Sequence, residues 1–276
     1  VPELGADKAG IPPPPWQRLP DRTARRRRDP ISRDAIVAAA IRLLDAEGLD
    51  ALSMRRIADQ LGTGAASLYW HVGSKDGLLD LVFDQVIGEV TVPDPEPDRW
   101  RQQLKDVARS QRAISLRHPY IVRISIGRIP MGPNALRYSE RVLAILRAAG
   151  LPPRLAVQGS HLLIATINGF TLDETGVGDA AVAGDQADSA AAGPAGDRSA
   201  GGDAATSTGS QQAAEMARAY LASLPPQQFP HLVELADEFS YSDPDERFEL
   251  LIDIFTDGLA RRAAAETEAE DAAELR

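Results

Sequence analysis

Apolar side chains recur at helical spacing along most of this chain, and glycines and prolines cut the recurrence into segments. Beyond Ser32, a good N-cap, Ile36, Ala40, Leu43 and Leu44 fall on one helical face, and Gly48 supplies the stop. A second, short helix is predicted over 53–61, with Leu52 and Ile57 placed as a hydrophobic staple. A tight turn over 62–64 separates it from a third helix over 65–71. A fourth begins at Ser74 and carries Leu78, Val82 and Val86 along one face to Gly88. The prolines of "TVPDPEPDRW" then break the chain. Helical patterns resume over 100–117, 134–150, 153–175 and 244–262, with a short one over 211–224 and one or two short helices or turns between 118 and 133. No alternating strand pattern persists, so the predicted fold class is all-α.

Two stretches have no such pattern. Residues 1–30 contain "GIPPPPWQRLPDRTARRRRDP", which cannot form a packed element and is expected to be a disordered or polyproline arm. Residues 176–210 are low-complexity Ala, Gly, Asp and Ser, and are expected to form a flexible loop. The expected organisation is therefore an arm (1–30), a small helical domain (31–91), a larger one (97–265) and an acidic tail (266–276).

Composition narrows the function. The chain has 276 residues, 43% hydrophobic and 25% charged, ordinary values for a globular protein with room for two domains. It contains no cysteine, which excludes disulfides and thiolate metal sites. No uninterrupted apolar run approaches the ~20 residues that span a bilayer, and a cytoplasmic protein without membrane contact is expected. The net charge of −10 argues against a polyanion partner on average. Charge is segregated, however: "RTARRRRDPISR" is strongly basic, while the acidic residues gather near the C-terminus. Attraction to phosphates is short-ranged in salt, so a basic arm on an acidic body still suits nucleic acid.

The second and third helices with their turn make a helix-turn-helix, in which the second of the pair lies in the major groove. Its opening residues Ala65, Ala66 and Ser67 are small and allow close approach to base edges. Leu68 points back towards Leu44, Ile57 and Leu61. Tyr69, Trp70 and His71 are left near the rim, where hydroxyl, indole N–H and imidazole can each donate to a phosphate. Ser53 and Lys75, at the starts of flanking helices, extend that ring of contacts. Arg25, Arg26, Arg27 and Arg28 end a few residues before the first helix, where a basic arm can reach the minor groove. No histidine stands at i+3 or i+4 from another, so neither a metal site nor any other cofactor is predicted.

The stretch "AIVAAAIRLLDAEGLDALSMRRIADQLGTGAASLYWHVGSKDGLLDLV" resembles the DNA-binding domain of the TetR family of bacterial repressors. "RHP", "LRAAGLPP", "INGFTLDE" and "ELADEFSYSDPDERFELLIDIFTDGL" resemble the C-terminal domain of the tetracycline-repressor type. The resemblance implies a homodimer that binds a palindromic double-stranded DNA operator and lets go when a small effector binds. It places Arg55 at the family's base-contacting arginine, Ala65, Ala66 and Ser67 at the base-reading start of the recognition helix, and Tyr69, Trp70, His71 and Lys75 at phosphate contacts. The tetracycline repressors carry a long amide at the position of Ala65. Its loss removes a bidentate contact to adenine, so a different operator is expected.

The same resemblance implies that the last two long helices pair with the partner subunit as a four-helix bundle. Leu162, Ala165 and Gly169 offer small surfaces for close approach, and Phe248, Ile252, Phe255 and Leu259 form the facing stripe. The effector pocket is expected between the helix over 100–117, "YIVRISIGR" and the helix over 153–175, with Val107, Gln111, Ser125, Arg128, Leu163 and Ile167 as its candidates. Where tetracycline repressors hold a magnesium-binding histidine and a drug-binding asparagine, this chain has Ser125 and Val107. A hard cation needs oxygen or imidazole ligands, which valine does not offer. The expected effector is therefore largely hydrophobic. Two other classes compete: an all-α enzyme that binds a small molecule, and an adaptor using its "PPPP" arm. No G-x-S-x-G, P-loop, G-x-G-x-x-G or H-E-x-x-H pattern supports the first.

Overall fold

The computed structural model describes residues 31–175, 215–238 and 243–274. The arm with Arg25, Arg26, Arg27 and Arg28, and the low-complexity segment over 176–210, lie outside the described residues. Among the described residues there are helices and no strand. The chain divides into two compact units, Val1–Asp179 with Asp253–Arg276 and Ala180–Ile252.

The first unit opens with α1 (Arg33–Glu47), α2 (Met54–Gln60), α3 (Ala65–Val72) and α4 (Lys75–Ile87). Three of these start at a serine whose hydroxyl accepts an otherwise orphaned amide: Ser32 from Ala35 at 3.1 Å, Ser53 from Arg56 at 3.2 Å and Ser74 from Gly77 at 2.9 Å. Gly73 ends α3 at φ 75°, a left-handed conformation that glycine adopts without strain and that turns the chain directly into α4. Ile36, Leu43, Leu44, Ile57, Leu68, Leu78 and Val82 are all buried in one core. Each such side chain contributes about 1.5–3 kcal/mol by leaving water, so this core is what sets the angle between α2 and α3.

The unit continues with α5 (Trp100–Arg117), α6 (Tyr120–Ser125), α7 (Pro133–Ala148) and α8 (Pro153–Glu174). α8 packs on α5 and α7, while α4 packs on α1, α6 and α7. One helix thus belongs to both groups. The 22 residues of α8 are long and apolar enough, by length and composition alone, to cross a bilayer. Gln158 and His161 interrupt the run, so a search for unbroken apolar stretches passes over it.

In the second unit, α9 covers residues 215–222 and α10 is Pro230–Glu234, with Arg218 paired to Asp237 at 2.9 Å. The chain then enters α11 (Pro244–Glu274), which runs past the expected end at 262. Its last turns are rich in Ala and Glu, both strong helix formers, and contain no breaker.

The apolar rows on α11 differ from expectation. Phe248, Ile252 and Leu259 are buried and Phe255 is half-buried, so the stripe proposed for a partner is turned inward. Leu259 lies against α8 at Gly159, its methyl 3.1 Å from where a Cβ would stand. A second row, Leu250 and Ile254, remains 60% and 64% exposed. It sits two residues further on, roughly 200° around the helix, and periodicity alone does not tell which row meets solvent. On α8, Leu162, Ala165 and Gly169 face outward.

Candidate functional site

The N-terminal helices present a compact polar-aromatic edge. Leu68 and Val72 anchor α3 in the core, which turns Tyr69 and Trp70 outward at 47% and 54% exposure. Nothing inside the fold requires two aromatic rings there. The His71 ring meets the Trp70 ring edge-on at 4.8 Å, which fixes the two relative to each other. Gly64 caps α3 without a side chain, leaving the helix N-terminus open beside exposed Ala66 and half-buried Ala65 and Ser67. Lys75 at the start of α4 is exposed, and the half-buried Ser53 caps α2.

Two adjacent arginines on α2 differ in their partners. Arg56 closes a two-point pair with Glu47, with Nη1 at 2.8 Å and Nη2 at 2.5 Å from the two carboxylate oxygens, tying α2 to the end of α1. That hydrogen bond holds the Glu47 carboxyl below its ordinary range. Arg55 is exposed and makes no ion pair among the described residues. Arg55, Tyr69 and Trp70 are thus exposed on the helix-turn-helix, His71 is half-buried on α3, and Lys75 is exposed at the start of α4.

A polar joint ties these helices to the rest of the unit. Arg128, after α6, pairs with Asp80 and, at 3.0 Å, with Asp76, both on α4. Arg123 of α6 reaches Asp50 at 3.3 Å. His118, buried after α5, places Nδ1 2.6 Å from Asp45 of α1 and 3.2 Å from the Tyr120 hydroxyl. Burial and the neighbouring Asp45 and Glu89 carboxylates push the Tyr120 phenol above its ordinary range.

Beyond the joint, α4 to α8 enclose a cavity of about 530 Å³, counting its open mouth. α4 supplies one apolar wall through Phe83, Val86 and Ile87, and Ile114, Ile121 and Ile164 face it from α5, α6 and α8. Of the six polar residues that line it, Tyr138, Gln111, Asn168 and Ser125 form one chain of hydrogen bonds, and Ser115 and Ser139 stand outside that chain. The Tyr138 hydroxyl donates to Gln111 Oε1 at 2.6 Å, and Gln111 Nε2 donates to Asn168 Oδ1 at 3.2 Å. Asn168 Nδ2 reaches Ser125 Oγ at 3.4 Å, and Ser125 donates to the Val122 carbonyl at 2.7 Å. Burial holds the Tyr138 phenol above its ordinary range, so it stays a neutral donor.

Gln111 and Ser125 therefore line the cavity as expected, and the other four candidates do not. Val107, Leu163 and Ile167 are buried away from the cavity wall. On α8 the lining residues are Ile164 and Asn168, one position on, because a single step rotates a side chain by ~100°. Arg128 is turned to α4 by its two aspartates. The sequence reading missed Tyr138 and Asn168. Asn168, an amide in the apolar run "LLIATINGF", was the available signal.

Fold and sites together define a helix-turn-helix regulator with a ligand cavity behind its reading head. Residues 36–82 match the model "Bacterial regulatory proteins, tetR family", and residues 92–263 match "Tetracyclin repressor-like, C-terminal domain". This chain belongs to the TetR family. It is 45% identical over 120 residues to an HTH-type transcriptional regulator of Saccharopolyspora erythraea, covering 44% of this chain and 51% of that protein. It is 43% identical over 119 residues to the HTH-type transcriptional repressor DrrR1 of Streptomyces coeruleorubidus, covering 43% of this chain and 44% of the other. The matches span about half the length of these curated relatives. Among solved structures it resembles ActR of Streptomyces coelicolor in complex with (S)-DNPA, at 41% identity and a TM-score of 0.69 over 85% of this chain and 100% of that one. ActR is also known in complex with actinorhodin. These relatives are regulators and not enzymes, which removes the enzyme alternative.

Proposed function

We propose that this chain is a cytoplasmic, ligand-responsive repressor that holds a palindromic operator as a homodimer and releases it when an effector fills the cavity. One observation carries the reading. α4 begins beside the recognition helix, at Lys75, and its Phe83, Val86 and Ile87 wall the cavity. A ligand that displaces α4 therefore moves the reading head, and a duplex that holds the head favours one shape of cavity. In this reading Arg55 and the Ala65, Ala66 and Ser67 segment read bases, while Ser53, Tyr69, Trp70, His71 and Lys75 grip phosphates. Arg25, Arg26, Arg27 and Arg28 add minor-groove contacts. The subunits meet through Leu162, Ala165 and Gly169 of α8 and the exposed Ile254 of α11. ActR binds its ligands in a related fold, which supports a small-molecule effector here.

The test is to let the purified protein select duplexes from a random pool. A two-fold symmetric consensus bound by a dimer supports the reading. Enrichment without a consensus contradicts it.

A further inference from the structure

The hydrogen-bond chain in the cavity has a direction fixed at one end. The Val122 carbonyl can only accept, so Ser125 spends its proton there and must accept from Asn168. Asn168 then turns its oxygen to Gln111, and Gln111 turns its own oxygen to Tyr138. Each amide is left with one N–H that the chain does not use. The Gln111, Asn168 and Ser125 oxygens each already accept one hydrogen bond, while the Tyr138 oxygen donates and accepts none within the chain. A buried N–H without a partner is the costlier vacancy, so the wall asks its occupant for acceptors.

Charge is excluded by the same wall. Among the described residues, no Asp, Glu, Lys, Arg or His lines the cavity. Two cations close in sequence to the lining are committed elsewhere: Arg112, next to Gln111, is held by Glu174 at 2.9 Å, and Arg128 by Asp76 and Asp80. A carboxylate entering this space would lose its water and find no countercharge.

Resting on the effector reading above, we propose that the cavity selects an uncharged, largely apolar ring compound that presents a ketone or quinone carbonyl to the free amide protons of Gln111 and Asn168. Carboxylated analogues of the same skeleton are rejected. Selection of this kind comes from the site's own unpaired donors, which penalise any ligand lacking an acceptor.

Three probes on one skeleton separate the elements of the proposal: 2-(hydroxymethyl)anthraquinone, anthraquinone-2-carboxylate and 2-(hydroxymethyl)anthracene. Calorimetric titration of the full chain should give at least tenfold tighter binding of the neutral quinone than of the carboxylate. Gln111→Leu and Asn168→Leu should each weaken the quinone about tenfold and leave the anthracene bound at least as tightly as before, one hydrogen bond being worth about that much. The anthracene also controls for folding, since an unfolded variant loses both compounds. Binding of the carboxylate as tightly as the quinone, failure of the quinone to bind, or leucine variants that bind it normally would each overturn the proposal. Release of a self-selected duplex is read separately. A quinone that binds with the stated selectivity but frees no DNA sinks the effector reading and leaves the ligand class standing.

Discussion

Asp84 of α4 places one carboxylate oxygen 2.9 Å from the Ala135 amide and 3.0 Å from the Asn134 amide, capping the first turn of α7 from a neighbouring helix. The Asn134 side chain returns the contact, donating to the Asp84 carbonyl at 3.0 Å. The cap joins the helix that flanks the recognition helix to the helix that carries Tyr138. The approach is close: a Cβ on Gly132 would stand 2.1 Å from the same carboxylate oxygen.

Asp84→Ala should therefore lower stability by about 1–3 kcal/mol, because the buried Ala135 amide and the half-buried Asn134 amide lose their acceptor. Gly132→Ala should do similar damage by pushing the carboxylate out of place. The two act on one contact, so the double variant should be little worse than either single one. Denaturant unfolding of the three variants decides, and additive losses would show that the cap is not what Gly132 accommodates.

Tyr69→Ala should leave the unfolding midpoint nearly unchanged, since an exposed ring contributes little to the fold. It should weaken binding to every duplex by a similar factor. Arg55→Ala should instead relax discrimination at one base position, by about 1–3 kcal/mol. Titration against the selected operator and its single-base variants tells them apart. A base-selective defect in Tyr69→Ala would reverse the assignment.

Tyr120 and Tyr138 are both held above the ordinary tyrosine value, chiefly by burial. The folded state keeps these protons after the unfolded chain would release them at about pH 10. Their contribution to stability is thus full below that pH and is lost as pH rises towards the folded values. Phenolate absorbance during an alkaline titration should show two of the five tyrosines appearing only as helicity collapses. Tyr138→Phe should leave one such group. Smooth titration of all the tyrosines before unfolding would contradict the burial argument.

Leu162→Glu and Ile254→Glu each put a charge on an exposed apolar row without touching the buried one. Both should yield helical monomers in light scattering. A wild-type chain that is itself monomeric would remove the basis for this assignment.

The sequence was most legible where local chemistry decides. The serine caps at Ser32, Ser53 and Ser74 and the stop at Gly48 follow from backbone groups that must find partners. The same holds for the reading head, because Leu68 fixes which neighbours face out. Legibility failed where a helix is apolar on more than one side. On α8, Leu163, Ile164 and Ile167 are equally apolar, so the pattern does not reveal which of them faces a cavity. On α11 the row at Phe248 and Ile252 and the row at Leu250 and Ile254 are both plausible core faces, and only packing separates them. Arg128 resembles a pocket residue in sequence, but its partners on α4 lie 48 or more positions away.

The central claim is that α4 couples cavity and reading head, so that ligand and operator compete through one helix. Linkage makes this measurable from the ligand's side, because whatever factor an effector costs the operator, the operator must cost the effector. The decisive measurement is the affinity of 2-(hydroxymethyl)anthraquinone for the protein, free and saturated with its selected duplex. The account predicts weaker ligand binding on DNA, by the same factor by which the ligand weakens the duplex complex. Equal ligand affinity in the two states would contradict it.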